Sequence, residues 1–180
     1  CEIYDGRIIM APNAALNVGI FTPNPLGGGT FTSGPVIPEA NSAKYAGCSL
    51  GRNGKVIMAP FDASRIGIYD PELNTFSVGA YNFGLGGNKF VGTVPLPNGK
   101  ILFVPSVYPN VGLYDPETDT YEDGPAIPVT WSPNHAYGGG TLLPNGLVIF
   151  TCSYSNQFGI YNYKDNSFSL MSFIVDKTGG

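Results

Sequence analysis

A short apolar run returns four times along this chain. Ile8-Ile9-Met10-Ala11-Pro12, Val56-Ile57-Met58-Ala59-Pro60, Ile101-Leu102-Phe103-Val104-Pro105 and Leu147-Val148-Ile149-Phe150-Thr151-Cys152 follow Gly6, Gly54, Gly99 and Gly146, which lie 48, 45 and 47 residues apart. Runs this short and this continuously apolar predict strands covered on both faces. Asn53-Gly54, Asn98-Gly99 and Asn145-Gly146, with Asp5-Gly6 in the first copy, precede them. Both central residues of a type I′ turn take positive φ, so these dipeptides predict tight hairpins. The strand before each hairpin is Tyr45 to Leu50, Phe90 to Leu96 and Tyr137 to Leu143. A third strand carries Gly-Ile-Tyr or its like: Gly19-Ile20-Phe21, Gly67-Ile68-Tyr69, Gly112-Leu113-Tyr114 and Gly159-Ile160-Tyr161. In the middle copies it stops at Asp70-Pro71 and Asp115-Pro116, because proline cannot donate to a ladder. A fourth strand opens at Thr30-Phe31, Thr75-Phe76, Thr120-Tyr121 and Ser167-Phe168. No segment of ten residues shows capped helical periodicity.

Four antiparallel strands in each repeat of this length predict the blade of a β-propeller, an all-β fold. The blades fall at about 1–43, 44–88, 89–134 and 135–180. Gly47, Gly92 and Gly139 fit a first strand nearest the axis, where neighbouring blades crowd. A β-sandwich is the alternative, but it does not predict the repeat. Counting gives fifteen full strands and a stub at Cys1 to Tyr4, so one sheet edge needs covering. The favoured expectation is a piece of a longer propeller of six to eight blades. Two copies joined head to tail in an eight-bladed ring, or a compact four-bladed closure, are the alternatives.

Composition narrows the function. Thirteen acidic against nine basic residues give a net charge of −4, which argues against a nucleic-acid partner. Gly (25) and Pro (16) are abundant, yet 11 Tyr and 11 Phe accompany them, as in a folded, turn-rich domain. No run of about 18 apolar residues predicts a transmembrane helix, and no signal peptide is visible. The start at Cys1 reads as a processed product or a fragment, with a mature lipoprotein as the alternative. Cys1, Cys48 and Cys152 form no CxxC pair and no zinc site, and Cys48 and Cys152 are expected as small core thiols. Low Lys content with many polar residues leans toward an extracellular or virion surface.

Residues that differ between copies carry the functional reading, since binding surfaces on rigid scaffolds are assembled from variable loops. The variable loops bring Phe61, Tyr81, Phe83, Tyr108, Trp131 and Tyr154, with Trp131 beside Ser132, Pro133, Asn134 and His135. Aromatic faces beside polar donors suit a glycan or peptide ligand. The plainer expectation for each ring is packing between blades. His135 is the single histidine, so any Ser–His–acid scheme would have to use it. No Gly-x-Ser-x-Gly elbow is present, Gly27-Gly28-Gly29 lacks the phosphate-loop pattern, and Glu72, Glu117, Asp119, Glu122 and Asp123 read as solvated rather than calcium-binding. No cofactor or metal is expected.

The stretch from Phe90-Val91-Gly92 through Pro97-Asn98-Gly99-Lys100-Ile101, with Tyr114-Asp115-Pro116-Glu117-Thr118-Asp119-Thr120, resembles kelch-like propeller repeats of the kind seen in viral, phage and protist proteins. The resemblance runs over the whole chain and marks a blade, not an activity. It departs from standard kelch repeats in lacking their Gly-Gly pair with spaced Tyr and Trp in most copies. It implies a binding role and carries no catalytic residue. The expected function is a non-catalytic structural or recognition module binding a protein or glycan. The alternative is a propeller lyase or hydrolase using His135.

Overall fold

A computed structural model describes residues 1–39, 43–84, 86–128 and 136–174. Every element among them is a strand. The first sheet holds β1 (Ile8–Met10), β2 (Asn17–Pro23) and β3 (Gly29–Val36). The second holds β4 (Tyr45–Leu50), β5 (Val56–Pro60), β6 (Arg65–Asp70) and β7 (Thr75–Asn82). The third holds β8 (Phe90–Pro95), β9 (Ile101–Pro105), β10 (Asn110–Asp115) and β11 (Thr120–Ala126). The fourth holds β12 (Tyr137–Leu142), β13 (Leu147–Cys152), β14 (Gln157–Asn162) and β15 (Ser167–Ile174). Each sheet is an antiparallel meander in chain order, as expected of a propeller blade. In the first, Cys1–Ile3 stands in for the innermost strand: Glu2 bridges Ile8, and Ile9 N–H donates to Cys1 O at 2.7 Å.

Both faces of the middle blades are buried because alternate residues of one run point to opposite neighbours. In β5, Val56 and Met58 join Ile9, Val18 and Ile20 in the core between blades one and two, while Ile57 and Ala59 face Phe90, Ile101 and Phe103. A third core joins Leu102, Val104, Val111 and Leu113 to Tyr137, Val148, Phe150 and Tyr161. Among the described residues there are thus three inter-blade cores for four blades. The side of blade four that repeats the Ile57 face carries Ile149, Phe158 and Ile160, and these are only half-buried. On the opposite end of the arc, Met10 is 43% and Phe31 61% exposed, where their equivalents in blade two, Met58 and Phe76, are covered.

The repeated turns do structural work. Asn74, Asp119 and Asn166 hold left-handed backbones at φ 50°, 51° and 53°. Each accepts a hydrogen bond from the buried tyrosine five residues earlier: Tyr69 at 3.1 Å, Tyr114 at 2.8 Å and Tyr161 at 3.1 Å. Bonds across the hairpin end lock neighbouring blades, with Asn53 Nδ2 on Pro116 O at 2.7 Å and Arg7 Nη2 on Pro71 O at 3.3 Å.

Crowding at the axis is real at one of the three expected glycines. Gly47 has φ +79°, and a Cβ there would meet Gly92 Cα at 3.0 Å. At Gly92 and Gly139 the nearest atoms would be 4.0 Å and 3.6 Å away, in ordinary contact. The thiols also differ from expectation, since Cys48 and Cys152 are half-buried rather than enclosed. Cys48 Sγ lies 3.4 Å from Ile9 O, at the rim of a core instead of inside it.

Candidate functional site

The meander puts the β-hairpin turns on one face of the arc. The loops 11–16, 61–64, 106–109 and 153–156, with the inter-blade connections, fall on the other. On that second face the copies differ, and among the described residues the junction of blades two and three carries a cluster of aromatics.

Strand four of the second blade is one residue longer there than in blades one and three, as it is in blade four, where Gln157 and Gly159 pair with Ile174 and Leu170 just as Arg65 and Gly67 pair with Asn82 and Val78. Blades one and three read Gly34-Pro35-Val36-Ile37 and Gly124-Pro125-Ala126-Ile127, whereas blade two reads Gly79-Ala80-Tyr81-Asn82-Phe83. Hydrogen bonds fix the correspondence: Ile37, Phe83 and Ile127 N–H donate to Leu16, Ser64 and Pro109 O, each at 2.8 Å. Ala80 and Tyr81 therefore occupy the space of a single proline, as a bulge that re-aims a side chain. Two side chains hold it. Arg65 Nη1 donates to Gly79 O at 3.1 Å and Ala80 O at 2.7 Å, where Asn17, Asn110 and Gln157 each reach one carbonyl of the equivalent strand. Across the junction, the Asp119 carboxylate accepts the Ala80 N–H at 3.1 Å.

The bulge turns Tyr81 outward with 40% of its surface exposed. Its ring lies on Tyr121 with centroids 4.6 Å apart, and against the Phe83 ring at 4.8 Å and 71°. Phe83 continues inward to Phe90 at 5.6 Å and Tyr108 at 5.8 Å. Tyr108 stands where the other loops have Ala15, Ala63 and Ser155, and Tyr121 where the other strands have Phe31, Phe76 and Phe168. The Tyr121 hydroxyl donates to Asp123 Oδ1 at 2.9 Å. Burial pushes the Tyr108 phenol up to about 12 and raises that of Tyr121, so both remain neutral donors at ordinary pH. Asp123 itself is exposed. The result is an aromatic shelf with a wet outer ring, a buried base and a carboxylate at its edge.

The structure thus unites Tyr81, Phe83 and Tyr108 and leaves Phe61 and Tyr154 elsewhere. Phe61 is half-buried in the β5–β6 loop, and its carbonyl accepts Lys89 N–H at 3.0 Å. Tyr154 is 54% exposed on the β13–β14 loop of blade four. Trp131 and His135 lie outside the described residues.

Two buried lysines escaped the sequence reading. Lys44 and Lys89 are 1% and 5% exposed, each directly before the aromatic that opens its blade. Lys89 Nζ donates to Ala63 O at 3.1 Å and also to Gly86 O, tying the inter-blade connection to the neighbouring loop. Burial lowers its pKa, with Asp62 and Glu39 pulling the other way. Glu39, raised chiefly by burial, lies beside the Tyr45 hydroxyl. The carboxylates considered for calcium do not gather: among the described residues no three acids, histidines or cysteines cluster to hold a metal.

No protein-family model matches the chain, nor does any curated protein sequence. Solved β-propeller proteins share its fold. Virginiamycin B lyase from Staphylococcus aureus superposes with a TM-score of 0.74 at 18% identity, over 95% of this chain and 53% of that one. The extracellular domain of a hybrid two-component system from B. thetaiotaomicron gives 0.66 at 11%, over 100% of this chain and 22% of that one. An auxiliary nutrient binding protein from Bacteroides ovatus gives 0.62 at 12%, over 96% and 40%. The chain therefore spans about half the length of the lyase. Propellers of this architecture include both an enzyme and binding proteins, and the likeness carries the fold alone.

Proposed function

We propose that this chain is a non-catalytic recognition module, a propeller scaffold that takes a saccharide or an aromatic-binding protein segment on the Tyr81 shelf. The observation that carries the reading is the ring at the inserted residue. Copies one and three do without the extra residue and copies two and four carry it, and in copy two Arg65 and Asp119 hold the bulge so that it presents the Tyr81 ring to water. A sugar face stacks on an exposed phenol, while a carboxylate such as Asp123 accepts hydrogen bonds from hydroxyls. An extracellular setting fits neighbours that are extracellular domains and a nutrient-binding protein. The virion setting rests on composition and on the kelch-like motif. Further blades, in the same polypeptide or in a second copy joined head to tail, would complete the ring.

The test is a glycan and peptide array probed with the intact chain, repeated with Tyr81→Ala. Loss of one large stacked ring is expected to weaken a captured ligand by about 10-fold or more, with melting changed by no more than a few degrees. Equal capture by both proteins would remove the shelf from the account. The enzyme alternative predicts turnover that His135→Ala abolishes, and a ligand released chemically unaltered speaks against it.

A further inference from the structure

Where two blades meet, one residue of each innermost strand touches one residue of the next. The first of the two is Ser49, opposite Ile57 in blade two, and Val94, opposite Leu102 in blade three. The second is Thr93, opposite Phe103 in blade three, and Gly140, opposite Phe150 in blade four. Opposed residues share a face of the sheet, so the first points to the following blade and the second to the preceding one. The contacts agree. Ser49 Oγ lies 2.6 Å from Thr93 Oγ1, and a Cβ on Gly140 would stand 3.4 Å from Val94 Cγ2.

At the junction of blades one and two the same two places hold cysteines. Cys1 exchanges both backbone hydrogen bonds with Ile9, each at 2.7 Å, which sets it opposite the counterpart of Ile57. Cys48 lies opposite Met58, the counterpart of Phe103. Both pack against the core of Ile9, Val18 and Met58. Cys48 Sγ is 3.4 Å from Cys1 N and 3.4 Å from Ile9 O, so it rests on the pair that carries the other thiol. Cys1 enters by its place in the ladder, and a preceding residue would leave both bonds to Ile9 intact.

We propose that Cys1 and Cys48 are a disulfide pair, joining the innermost strands of blades one and two in an oxidising environment. This reading is independent of the Tyr81 shelf, which lies at the next junction. Both residues are thiols in the structure. A disulfide needs Cβ atoms about 3.5–4.5 Å apart and an S–S bond of about 2.05 Å. The Ser49–Thr93 contact shows that this place brings γ atoms within 2.6 Å, so closing the bond asks for side-chain rotation and no shift of the blades. The bond forms by two exchanges with a small disulfide such as oxidised glutathione. One protein thiolate attacks a glutathione sulfur and releases one reduced glutathione. The second thiolate attacks the protein sulfur of that mixed disulfide and releases the other. The protein loses two hydrogens, which leave on the two reduced glutathiones. Cys152 takes no part, since it lies opposite Tyr137 in blade four.

The whole 180-residue chain, folded and dilute, is treated with oxidised glutathione, alkylated in denaturant, and mapped by mass spectrometry without reduction. The expected product is a monomer with Cys1 linked to Cys48 and the alkyl group on Cys152 alone. Its melting temperature is expected to rise by about 5–10 °C, because the bond closes a long loop in the unfolded chain, and to return on reduction. Cys48→Ser is expected to lose both the link and the rise. Three alkylated cysteines, a link through Cys152, a disulfide-bonded dimer, or glutathione left on Cys48 with Cys1 alkylated would each overturn the proposal. So would a Cys1–Cys48 link that forms only in denaturant. The mapping uses the unaltered chain, so it decides even if Cys48→Ser folds poorly.

Discussion

Raising the pH from about 9 to about 12 is expected to unfold this protein in one cooperative step driven by its tyrosines. Tyr45, Tyr69, Tyr114, Tyr137 and Tyr161 are all fully buried. Burial raises every one of these phenols, Tyr137 and Tyr161 to about 12. Unfolded phenols release their protons near pH 10 while the folded ones keep theirs. The contribution is therefore fully present below about pH 10 and is lost as pH rises through the folded values. In that window each group removes up to about 1.4 kcal/mol per pH unit. Tyr45, Tyr114, Tyr137 and Tyr161 together remove roughly 5 kcal/mol by about pH 11, within the range of the whole stability of a typical domain, and Tyr69 acts in the same direction. Lys89 opposes this, because its lowered pKa makes stability rise toward its unfolded value, but it is one group against five. Tyrosinate absorbance and circular dichroism followed together check the expectation. The two should change in one step, and tyrosinate rising gradually near pH 10 with the sheet intact would contradict it.

Phe90→Ala is expected to be the most damaging of the core truncations at the central junction. Phe90 is fully buried, lies over Gly112, and meets Phe83, Phe103 and Tyr108 at 5.6, 5.4 and 4.8 Å between ring centroids. Removing its ring costs transfer energy and leaves a cavity, together about 3–5 kcal/mol. The surrounding rings belong to two different blades, so collapse around the gap would require the blades to shift. Denaturant unfolding measures the loss. For a chain of this size the melting temperature should fall by roughly 10 °C or more. A change below about 1 kcal/mol would mean that the two blades are not joined through this ring.

The blades were legible because each rests on local chemistry: Asn-Gly turns, Asp-Pro stops and apolar runs at a fixed period. The turns are not the expected type I′, since Gly54, Gly99 and Gly146 take positive φ while Asn53, Asn98 and Asn145 do not. What escaped were relations between blades. Tyr81, Phe83 and Tyr108 were visible as copy-specific aromatics, but their meeting depends on how strand four of one blade lies beside the loop of the next. The insertion at Ala80-Tyr81 was hidden because it lengthens a strand by one residue and leaves the repeat period nearly unchanged. Lys44 and Lys89 read as ordinary charges, since nothing local announces that both will be buried, or that carbonyls of the neighbouring loop will meet the Lys89 ammonium. Packing between blades, the plainer expectation for every aromatic, describes Phe83 and much of Tyr108. It describes one face of Tyr81, which lies on Tyr121 of the next blade, while 40% of its surface stays open to water.

The central claim is that the ring carried by the extra residue at this junction serves a ligand and not the fold. Replacing Ala80-Tyr81 by a single proline, together with Arg65→Asn, restores the pattern of blades one and three. Thermal melting and array binding of this variant, measured side by side with the original chain, test the claim most directly. The account predicts melting within about 4 °C of the original and loss of the ligand captured by the intact shelf. Retained binding, or a collapse of stability with the insertion gone, would show that the extra residue belongs to the scaffold after all.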